Sequence, residues 1–170
     1  MEILKGKDKE EFFLKEAYLQ SEKSKDLSTH VGSVLVRGDI SLCAGFNGLP
    51  RGVTDYKVRH TERPEKYFYT EHAERNNIYN AARNGIKTEG CSLYVLGYPC
   101  ADCARAVIQS GIKKIFLHKQ WNDSFISKQK KWEESSRYTK EMLEESGVTV
   151  KELDYKLGMT VLIAEKLYVI

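Results

Sequence analysis

The segment that most restricts the fold of this chain is residues 91–119, CSLYVLGYPCADCARAVIQSGIKKIFLHK. Its first seven residues form an apolar run typical of a buried strand, and its last eight, beginning at Ile112, indicate another strand. Between them the apolar residues recur at helical spacing, with Pro99 at the start of the predicted helix and Gly111 just past its end. The segment therefore predicts a β-α-β unit, in which both strands belong to a sheet and the helix covers it.

Further helices and strands flank this unit on both sides. The run VGSVLVRGDISLCAGFNG predicts a β-hairpin that turns at Gly38, and VTVKEL predicts a strand after Gly147. The region from Leu49 to Tyr69 is polar and is predicted to be a loop. The apolar spacing predicts helices at three further places: residues 9–25, 70–84 and 127–146. The closing stretch, residues 154–170, is apolar enough to pack and fits helix and strand equally.

Strands that alternate with helices after an initial hairpin predict an α/β fold, with a mixed sheet covered by helices on both faces. In such sheets, ligands bind beyond the carboxyl ends of the strands, where helices begin. A length of 170 residues suits one domain with its own core, and no repeat or linker divides residues 1–170. We therefore expect a single domain with its site at the starts of helices.

Composition narrows the classes of function. The chain is 41% hydrophobic and carries 27 Lys and Arg against 24 Asp and Glu, which is typical of a soluble globular protein. A net charge of +3 argues against a large nucleic-acid partner. The N terminus lacks the apolar core of a signal sequence, and the longest uncharged apolar run is too short to span a membrane. We expect a cytoplasmic protein without a membrane partner, whose four cysteines are metal ligands or core residues rather than disulfides.

Three residues have the chemistry of a metal site. Cys100 and Cys103 are three apart at the start of the predicted helix, so their sulfurs lie on one face and can bind one ion. The positive end of the helix favours their thiolate forms. His72, at the start of the preceding helix, can supply a neutral third ligand. A His/Cys/Cys set suits Zn²⁺, and three protein ligands leave a fourth position for water, as in catalytic sites.

Glu74 follows His72 by two residues and is the candidate general base. In the middle of a helix these two side chains would point in different directions. At the N-terminal edge, where the first residue is not yet helical, both can face the metal. A carboxylate beside a zinc-bound water can take its proton and deliver it elsewhere, so Glu74 is expected to shuttle protons.

The spacing H-x-E followed by P-C-x-x-C is the signature of zinc-dependent cytosine and adenine deaminases. From about residue 10 to residue 153 this chain resembles that superfamily, and most of all the deoxycytidylate (dCMP) deaminase family. The resemblance lies in GFNGLPRG, HAERNNIYNAARNG, PCADCARAVIQSGIKKI and MLEESGVTV. It implies the cytidine deaminase-like fold, a three-layer α/β/α arrangement around a central five-stranded mixed sheet. It also implies one catalytic zinc held by His72, Cys100 and Cys103, with Glu74 as the proton shuttle.

The resemblance further implies a reaction and its substrate. Glu74 moves protons to N3 and to the leaving ammonia while water attacks C4, which converts dCMP to dUMP for thymidylate synthesis. Asn47 and Ala73 are implied to contact the nucleotide. Many relatives form homo-oligomers and respond to dCTP and dTTP, and the residues implied in such contacts are Arg83, Gly45, Phe46 and Gly48. Some relatives hold a second zinc through cysteines after N-G-x-P, but RGVTDY has none, so one zinc is expected here.

The residues that bind the phosphate are indicated less directly. Arg51 follows the implied substrate contacts in GFNGLPRG and is the first candidate. The alternatives are Arg59, Arg63 and Lys66. Arg83 lies about 16 Å along its helix from His72, at ~1.5 Å per residue, which is too far for the same site. Trp121 and Phe125 follow a strand at the ligand edge, where a pocket wall and core packing are equally supported.

Other interpretations stay open at this point. A structural zinc site would need a fourth ligand, but Cys43 and Cys91 lie in apolar strands and are expected in the core. The remaining histidines, expected at the surface or in loops, are His30, His60 and His118. The rival functions are a deaminase of another cytosine nucleotide, a deaminase of a base in tRNA or single-stranded nucleic acid, and a zinc-stabilised binding module. The low charge disfavours the nucleic-acid substrate, and an intact Glu74 disfavours the binding module.

Overall fold

The computed structural model describes residues 8–126 and 131–170, except for the side chains of residue 126 and residues 131–135. Within them, the chain forms seven helices and seven strands. The helices are α1 (Lys9–Ser21), α2 (Val58–Thr61), α3 (Glu65–Tyr69), α4 (Ala73–Arg83), α5 (Ala101–Gln109), α6 (Lys119–Ile126) and α7 (Lys131–Glu145). The strands are β1 (Gly32–Arg37), β2 (Ile40–Phe46), β3 (Ser92–Val95), β4 (Lys114–His118), β5 (Thr149–Leu153), β6 (Thr160–Ile163) and β7 (Lys166–Val169).

Five of these strands form one mixed sheet, in the order β2-β1-β3-β4-β5. Strand β1 pairs antiparallel with β2 and with β3, while β3, β4 and β5 run parallel. The hairpin β1–β2 turns at Gly38, and β3, α5 and β4 form the β-α-β unit, so both predictions are confirmed. The carboxyl ends of β3 and β4 therefore lie at the same sheet edge, next to the starts of α5 and α6.

Because successive side chains of a strand point to opposite faces of the sheet, the core consists of two layers, one on each face. Val34 and Val36 of β1 face α1, in a cluster that includes Tyr18 and the hairpin β6–β7. Leu35 points the other way, into a cluster that includes buried residues of α4, α5 and α7. The fold is thus the expected three-layer α/β/α arrangement around a five-stranded mixed sheet.

A buried hydrogen-bond chain crosses the α1 side of the sheet. His118, at the end of β4, is fully buried, and its Nε2 lies 2.8 Å from the carbonyl oxygen of Tyr155. Because a carbonyl only accepts, Nε2 carries the proton, and Nδ1 accepts from the hydroxyl of Tyr18 at 2.6 Å. Burial lowers the pKa of His118, which keeps the imidazole neutral. The prediction that His118 and His60 lie at the surface or in loops is wrong: both are buried in regular structure, with hydrogen bonds at both ring nitrogens of His118 and at Nε2 of His60.

Two segments differ from the sequence prediction. Residues 49–69 contain α2 and α3, which are single-turn helices too short to show an apolar period. Residues 154–170 contain the antiparallel hairpin β6–β7, which contributes apolar side chains to the core. The helix predicted at 127–146 is present as α7, although residues 127–130 lie outside the described part of the chain. No helix among the described residues is both long enough and apolar enough to cross a membrane.

Candidate active site

The candidate metal ligands lie at two adjacent helix starts. His72 (φ −77°, ψ 156°) and Cys100 (φ −72°, ψ 170°) are the extended residues immediately before α4 and α5, and Cys103 lies in the first turn of α5. The Sγ atoms of Cys100 and Cys103 lie 3.5 Å and 3.6 Å from Nδ1 of His72. Bonds of about 2.3 Å to sulfur and about 2.1 Å to nitrogen, at the tetrahedral angle, place these atoms roughly 3.6 Å apart. The three residues therefore fit Zn²⁺.

The pKa values of the two thiols are shifted in opposite directions. Hydrogen bonds with Cys103 and then His72 lower the pKa of Cys100, while the hydrogen bond with Cys100 and burial raise the pKa of Cys103. A bound divalent cation would hold both residues as thiolates, because cysteine binds a metal in its deprotonated form. The other two cysteines, Cys43 and Cys91, pack in the apolar cluster on the α4 side of the sheet, as expected.

Glu74 belongs to the first turn of α4 and is 5% exposed. Because His72 is extended rather than helical, the two side chains are not separated by a helical turn, and both line one pocket. Burial raises the pKa of Glu74. A carboxyl group in this environment can hold a proton between two transfers, which an exposed glutamate does poorly at neutral pH.

Two contacts fix the start of α4 against its neighbours. Strand β2 approaches so closely that a Cβ on Gly45 would lie 2.4 Å from the carbonyl oxygen of Ala73. On another side, Arg75 pairs with Glu71 and lies 3.4 Å from a carboxylate oxygen of Asp102, in the first turn of α5. The helix starts that carry the ligands are thereby held by β2 and by each other.

A pocket opens beside the ligand atoms, and most of its lining belongs to one of three parts. The metal wall comprises His72, Ala73, Glu74 and Cys100, with the buried Cys103. The rim comprises Asp26, Ser28, Thr29, Asn47, Arg63 and Lys66. The aromatic wall comprises Tyr98, Trp121 and Phe125.

A buried ion pair organises the rim. Nζ of Lys66 lies 2.7 Å from Oδ1 of Asp26, and the two side chains are only 11% and 5% exposed. The same oxygen accepts from the backbone N–H groups of Ser28 at 2.8 Å and Thr29 at 3.0 Å. Asp26 therefore pairs with a cation of the pocket and also stabilises the turn at residues 26–29. No role for Asp26 is predicted from the sequence, and the available signal was an Asp two and three positions before Ser and Thr, which is typical of a side-chain-stabilised turn.

Asn47 is buried and braces the segment that follows this turn. Its Oδ1 accepts from the N–H of Val31 at 2.8 Å, and its Nδ2 donates to the carbonyl of Thr29 at 2.9 Å. The turn of hairpin β6–β7 also contacts this segment, since the N–H of Ala164 donates to Oγ1 of Thr29 at 3.0 Å. Asn47 thus has a structural task beside the implied contact with the nucleotide, which stays a prediction.

The four cations predicted for the phosphate occupy different places. Lys66 and Arg63 line the pocket. Arg51 is exposed, donates to a side chain of α4, and is not among the lining residues of the described chain. Arg59 lies over the ring of Tyr69, 4.3 Å from its centroid. The role predicted for Arg51 is not tested by this arrangement, which gives Lys66 and Arg63 direct access to the pocket.

The aromatic wall answers the question left open for α6. Trp121 and Phe125 stack with ring centroids 5.0 Å apart and both line the pocket. Trp121 also belongs to the core cluster on the α1 side, so it is both wall and core. Between them in the helix, Asn122 accepts a hydrogen bond from the backbone N–H of Tyr98 at 3.0 Å. Helix α6 is thereby anchored on the turn that leads to Cys100.

The residues implied in effector or subunit contacts are not equally accessible. Arg83 is exposed at the end of α4, and Phe46 is half-buried. Gly45 and Gly48 are buried, the first against α4 and the second paired through its backbone with Glu71. The contacts implied for these four residues stay predictions.

Comparison with known proteins finds similar chains. The family model described as the cytidine and deoxycytidylate deaminase zinc-binding region matches residues 7–119. A deoxycytidylate deaminase of Pongo abelii is 38% identical over 121 residues, which cover 67% of each chain. A protein of Aliivibrio fischeri named as an uncharacterized deaminase is 41% identical over 116 residues, which cover 68% of this chain and 76% of the relative.

A solved structure shows a similar fold. The dCMP deaminase of cyanophage S-TIM5, determined in complex with dCMP and dUMP, matches with a TM-score of 0.65 and 23% identity. The match covers 88% of this chain and 100% of the other. The family model ends at residue 119, where α6 begins, so most of α6, all of α7 and the hairpin β6–β7 lie beyond it.

Proposed function

Since this chain belongs to the family of the cytidine and deoxycytidylate deaminase zinc-binding region, we propose that it is a zinc-dependent enzyme that hydrolyses dCMP to dUMP and ammonia. One observation carries the proposal. The ligand atoms of His72, Cys100 and Cys103 lie within 4.8 Å of one another, and Glu74 lines the pocket beside them. A metal-ligand set next to a buried carboxylate is suited to hydrolysis rather than to structural support alone.

Nδ1 of His72 and the Sγ atoms of Cys100 and Cys103 would hold one Zn²⁺, because their separations match tetrahedral coordination. When bound, this ion supplies an acidified water and a Lewis acid for the developing negative charge. The two thiolates and the neutral imidazole balance its charge. The contacts of Arg75 with Glu71 and Asp102 keep the two ligand-bearing helix starts in register.

Glu74 carries the proton transfers. In this hydrolysis the water oxygen bonds to C4, the bond from C4 to the amino nitrogen breaks, and protons must reach N3 and the leaving ammonia. One carboxyl group beside the ring can take the proton from water, deliver it to N3, and then serve the leaving group. Burial, which raises the pKa of Glu74, favours the protonated form between these transfers.

Ala73 and Asn47 orient the nucleotide. Ala73 lines the pocket at the first residue of α4, where backbone N–H groups lack partners within the helix and can donate to the base. The amide of Asn47 keeps one N–H and one lone pair beyond its bonds to residues 29 and 31. These groups suit an uncharged hydroxyl such as that of the sugar.

Lys66 and Arg63 bind the phosphate. Both line the pocket, and Asp26 holds the ammonium of Lys66 in place before the nucleotide arrives. The exposed Arg51 is the rival candidate, since only a movement away from α4 would bring its guanidinium to the same group.

The remaining parts of the proposal concern assembly and control. The protein acts in the cytoplasm as a homo-oligomer whose turnover responds to dCTP and dTTP. Arg83 is the residue assigned to such a contact, because it is exposed at the end of α4 farthest from the pocket. No membrane or nucleic acid takes part.

Ammonia release tests the proposal. The purified protein with its metal content measured is assayed with dCMP, CMP, dCTP, deoxycytidine, a 5-substituted dCMP and an RNA oligomer, each with and without dCTP. We expect zinc near one per chain and the highest kcat/KM for dCMP. Faster turnover of the RNA or of another nucleotide would overturn the substrate, and zinc without ammonia release from any substrate would overturn the enzyme.

A further inference from the structure

The indole of Trp121 is a buried hydrogen-bond donor that lacks a partner in the protein. Its side chain is 3% exposed and lines the pocket. Among the residues that the structure describes, no atom accepts from its Nε1–H. Buried polar groups in native proteins nearly always have a partner, and an unpaired one is costly. A donor of this kind in the lining of a pocket indicates an acceptor that arrives with the occupant.

The ring cannot turn away to find an acceptor elsewhere. Its six-membered part packs against Gly97 so closely that a Cβ there would lie 2.1 Å from Cζ3. Its face stacks on Phe125 at an interplanar angle of 17°. The neighbouring Asn122 is itself held by the backbone N–H of Tyr98. The direction of the indole N–H is therefore fixed before any ligand binds.

The position of the Trp121 indole favours a contact with the base or sugar rather than with the phosphate. Gly97 lies three residues before Cys100, in the turn that leads from β3 to the metal wall. The pocket cations come instead from the segment around α3, and Arg63 is exposed. A donor that is almost inaccessible and lies in the segment next to the metal wall suits the base and sugar, whereas Lys66 and the exposed Arg63, on another segment, suit the phosphate.

We infer that the indole N–H of Trp121 donates a hydrogen bond to an uncharged acceptor on the base or the deoxyribose of the bound nucleotide. This inference rests on the proposed function and adds a residue that determines specificity. A ligand without an acceptor at that point leaves the donor unpaired, so it binds less tightly. The residue belongs to α6, outside the segment that the family model covers.

The substitution Trp121→Phe tests it, because phenylalanine keeps an aromatic ring against Gly97 and Phe125 but has no N–H. We expect kcat/KM to fall about tenfold for dCMP and for deoxycytidine alike. The ligand-free protein should lose some thermal stability, since the smaller ring leaves a cavity in the core cluster, but should keep its zinc. The control is Tyr138→Phe, which also removes a polar group from an aromatic ring but at an exposed position outside the pocket lining, and it should alter none of these measurements.

Three outcomes overturn the inference. Unchanged kcat/KM means that no ligand acceptor meets the donor. A loss confined to dCMP places the donor on the phosphate. A loss accompanied by a lower zinc content shows that the ring only supports the metal wall.

A second measurement does not depend on how Trp121→Phe folds. In a Glu74→Gln, Trp132→Phe protein, in which turnover should be about 10²- to 10⁴-fold slower, the single indole N–H signal in an NMR spectrum belongs to Trp121. Adding dCMP should shift this signal and slow its exchange with water, and an unmoved signal overturns the inference. Wild-type ammonia release tests the proposed function separately. If another cytosine nucleotide is the substrate, the inference is decided with that nucleotide, by comparing kcat/KM of Trp121→Phe with that of the wild-type protein and by the same NMR titration.

Discussion

The metal wall and the rim of the pocket are built in different ways. The metal wall takes its chemistry from two helix starts, each of which carries its reactive residues within three positions of one another. The rim depends on pairs that are far apart in the chain, such as Asp26 and Lys66, 40 positions apart. Local helix geometry places the groups that react, while side-chain contacts between distant parts of the chain place the groups that select. Changes in the metal wall should therefore stop the reaction for every substrate, and changes in the rim should alter which substrate is used.

The largest effect is expected from Cys103→Ala, which leaves two of the three ligands. Two ligands hold an ion poorly, so zinc and all ammonia release should be lost together, with some loss of stability. Metal analysis and activity assays on several nucleotides check this. Cys43→Ala, which removes a thiol of the apolar cluster, should keep both properties. Stoichiometric zinc in Cys103→Ala would contradict the ligand assignment.

The second largest effect is expected from Glu74→Gln, which should lower turnover without loss of zinc. The amide keeps the shape of the carboxylate but cannot shuttle a proton, so kcat should fall by about 10²- to 10⁴-fold. Zinc content and dCMP affinity should stay near those of the wild-type protein. A wild-type kcat in this variant would remove Glu74 from the mechanism.

A smaller and selective effect is expected at the rim. Lys66→Met should lower kcat/KM for dCMP by about ten- to a hundredfold and leave deoxycytidine little changed, because only dCMP carries the phosphate. Arg51→Ala should have a weaker effect on dCMP. The opposite ranking would move the phosphate site to Arg51.

The ion pair with Asp26 requires a control for this rim variant. Removing Lys66 leaves a buried carboxylate unpaired, which destabilises the fold by itself. The double variant Asp26→Asn, Lys66→Met removes both charges and should recover thermal stability. If it recovered dCMP turnover as well, Lys66 would be a structural residue rather than a phosphate ligand.

The smallest effect on the reaction is expected from Arg83→Ala, since this residue belongs to neither the metal wall nor the rim. Steady-state kinetics with dCMP alone should not change measurably. The proposed role predicts a change in oligomer size or in the response to dCTP, which sizing and activation curves measure. A large loss of basal turnover would show that a residue outside the metal wall and the rim contributes to the reaction.

The sequence predicted the metal wall more completely than the rim for a physical reason. The positions of Cys100 and Cys103 within one helical turn, and of His72 just before a helix, follow from spacing alone. No local pattern joins Lys66 to Asp26, because their contact depends on the packing of separate segments. His118 was misjudged for the same reason, since its hydrogen bond to Tyr18 spans 100 positions.

The fold shows the same division. The β-α-β unit and the first hairpin were predicted because their apolar periods and turn residues are local. The single-turn helices α2 and α3 and the hairpin β6–β7 are too short or too uniformly apolar to show a period. For Trp121, the sequence placed the ring at the ligand edge, but the lack of a partner for its N–H follows only from the surrounding side chains.

The close approach of β2 to α4 has a consequence for how tolerance to substitution is interpreted. A Cβ on Gly45 would lie 2.4 Å from one backbone atom of α4 and 2.5 Å from another, so even alanine forces the two elements apart. In saturation mutagenesis scored by growth or activity, position 45 should be depleted as strongly as the metal ligands. Its intolerance would come from backbone geometry transmitted to His72 rather than from contact with a ligand. A map of intolerant positions would thus outline the supports of the site as well as the site itself.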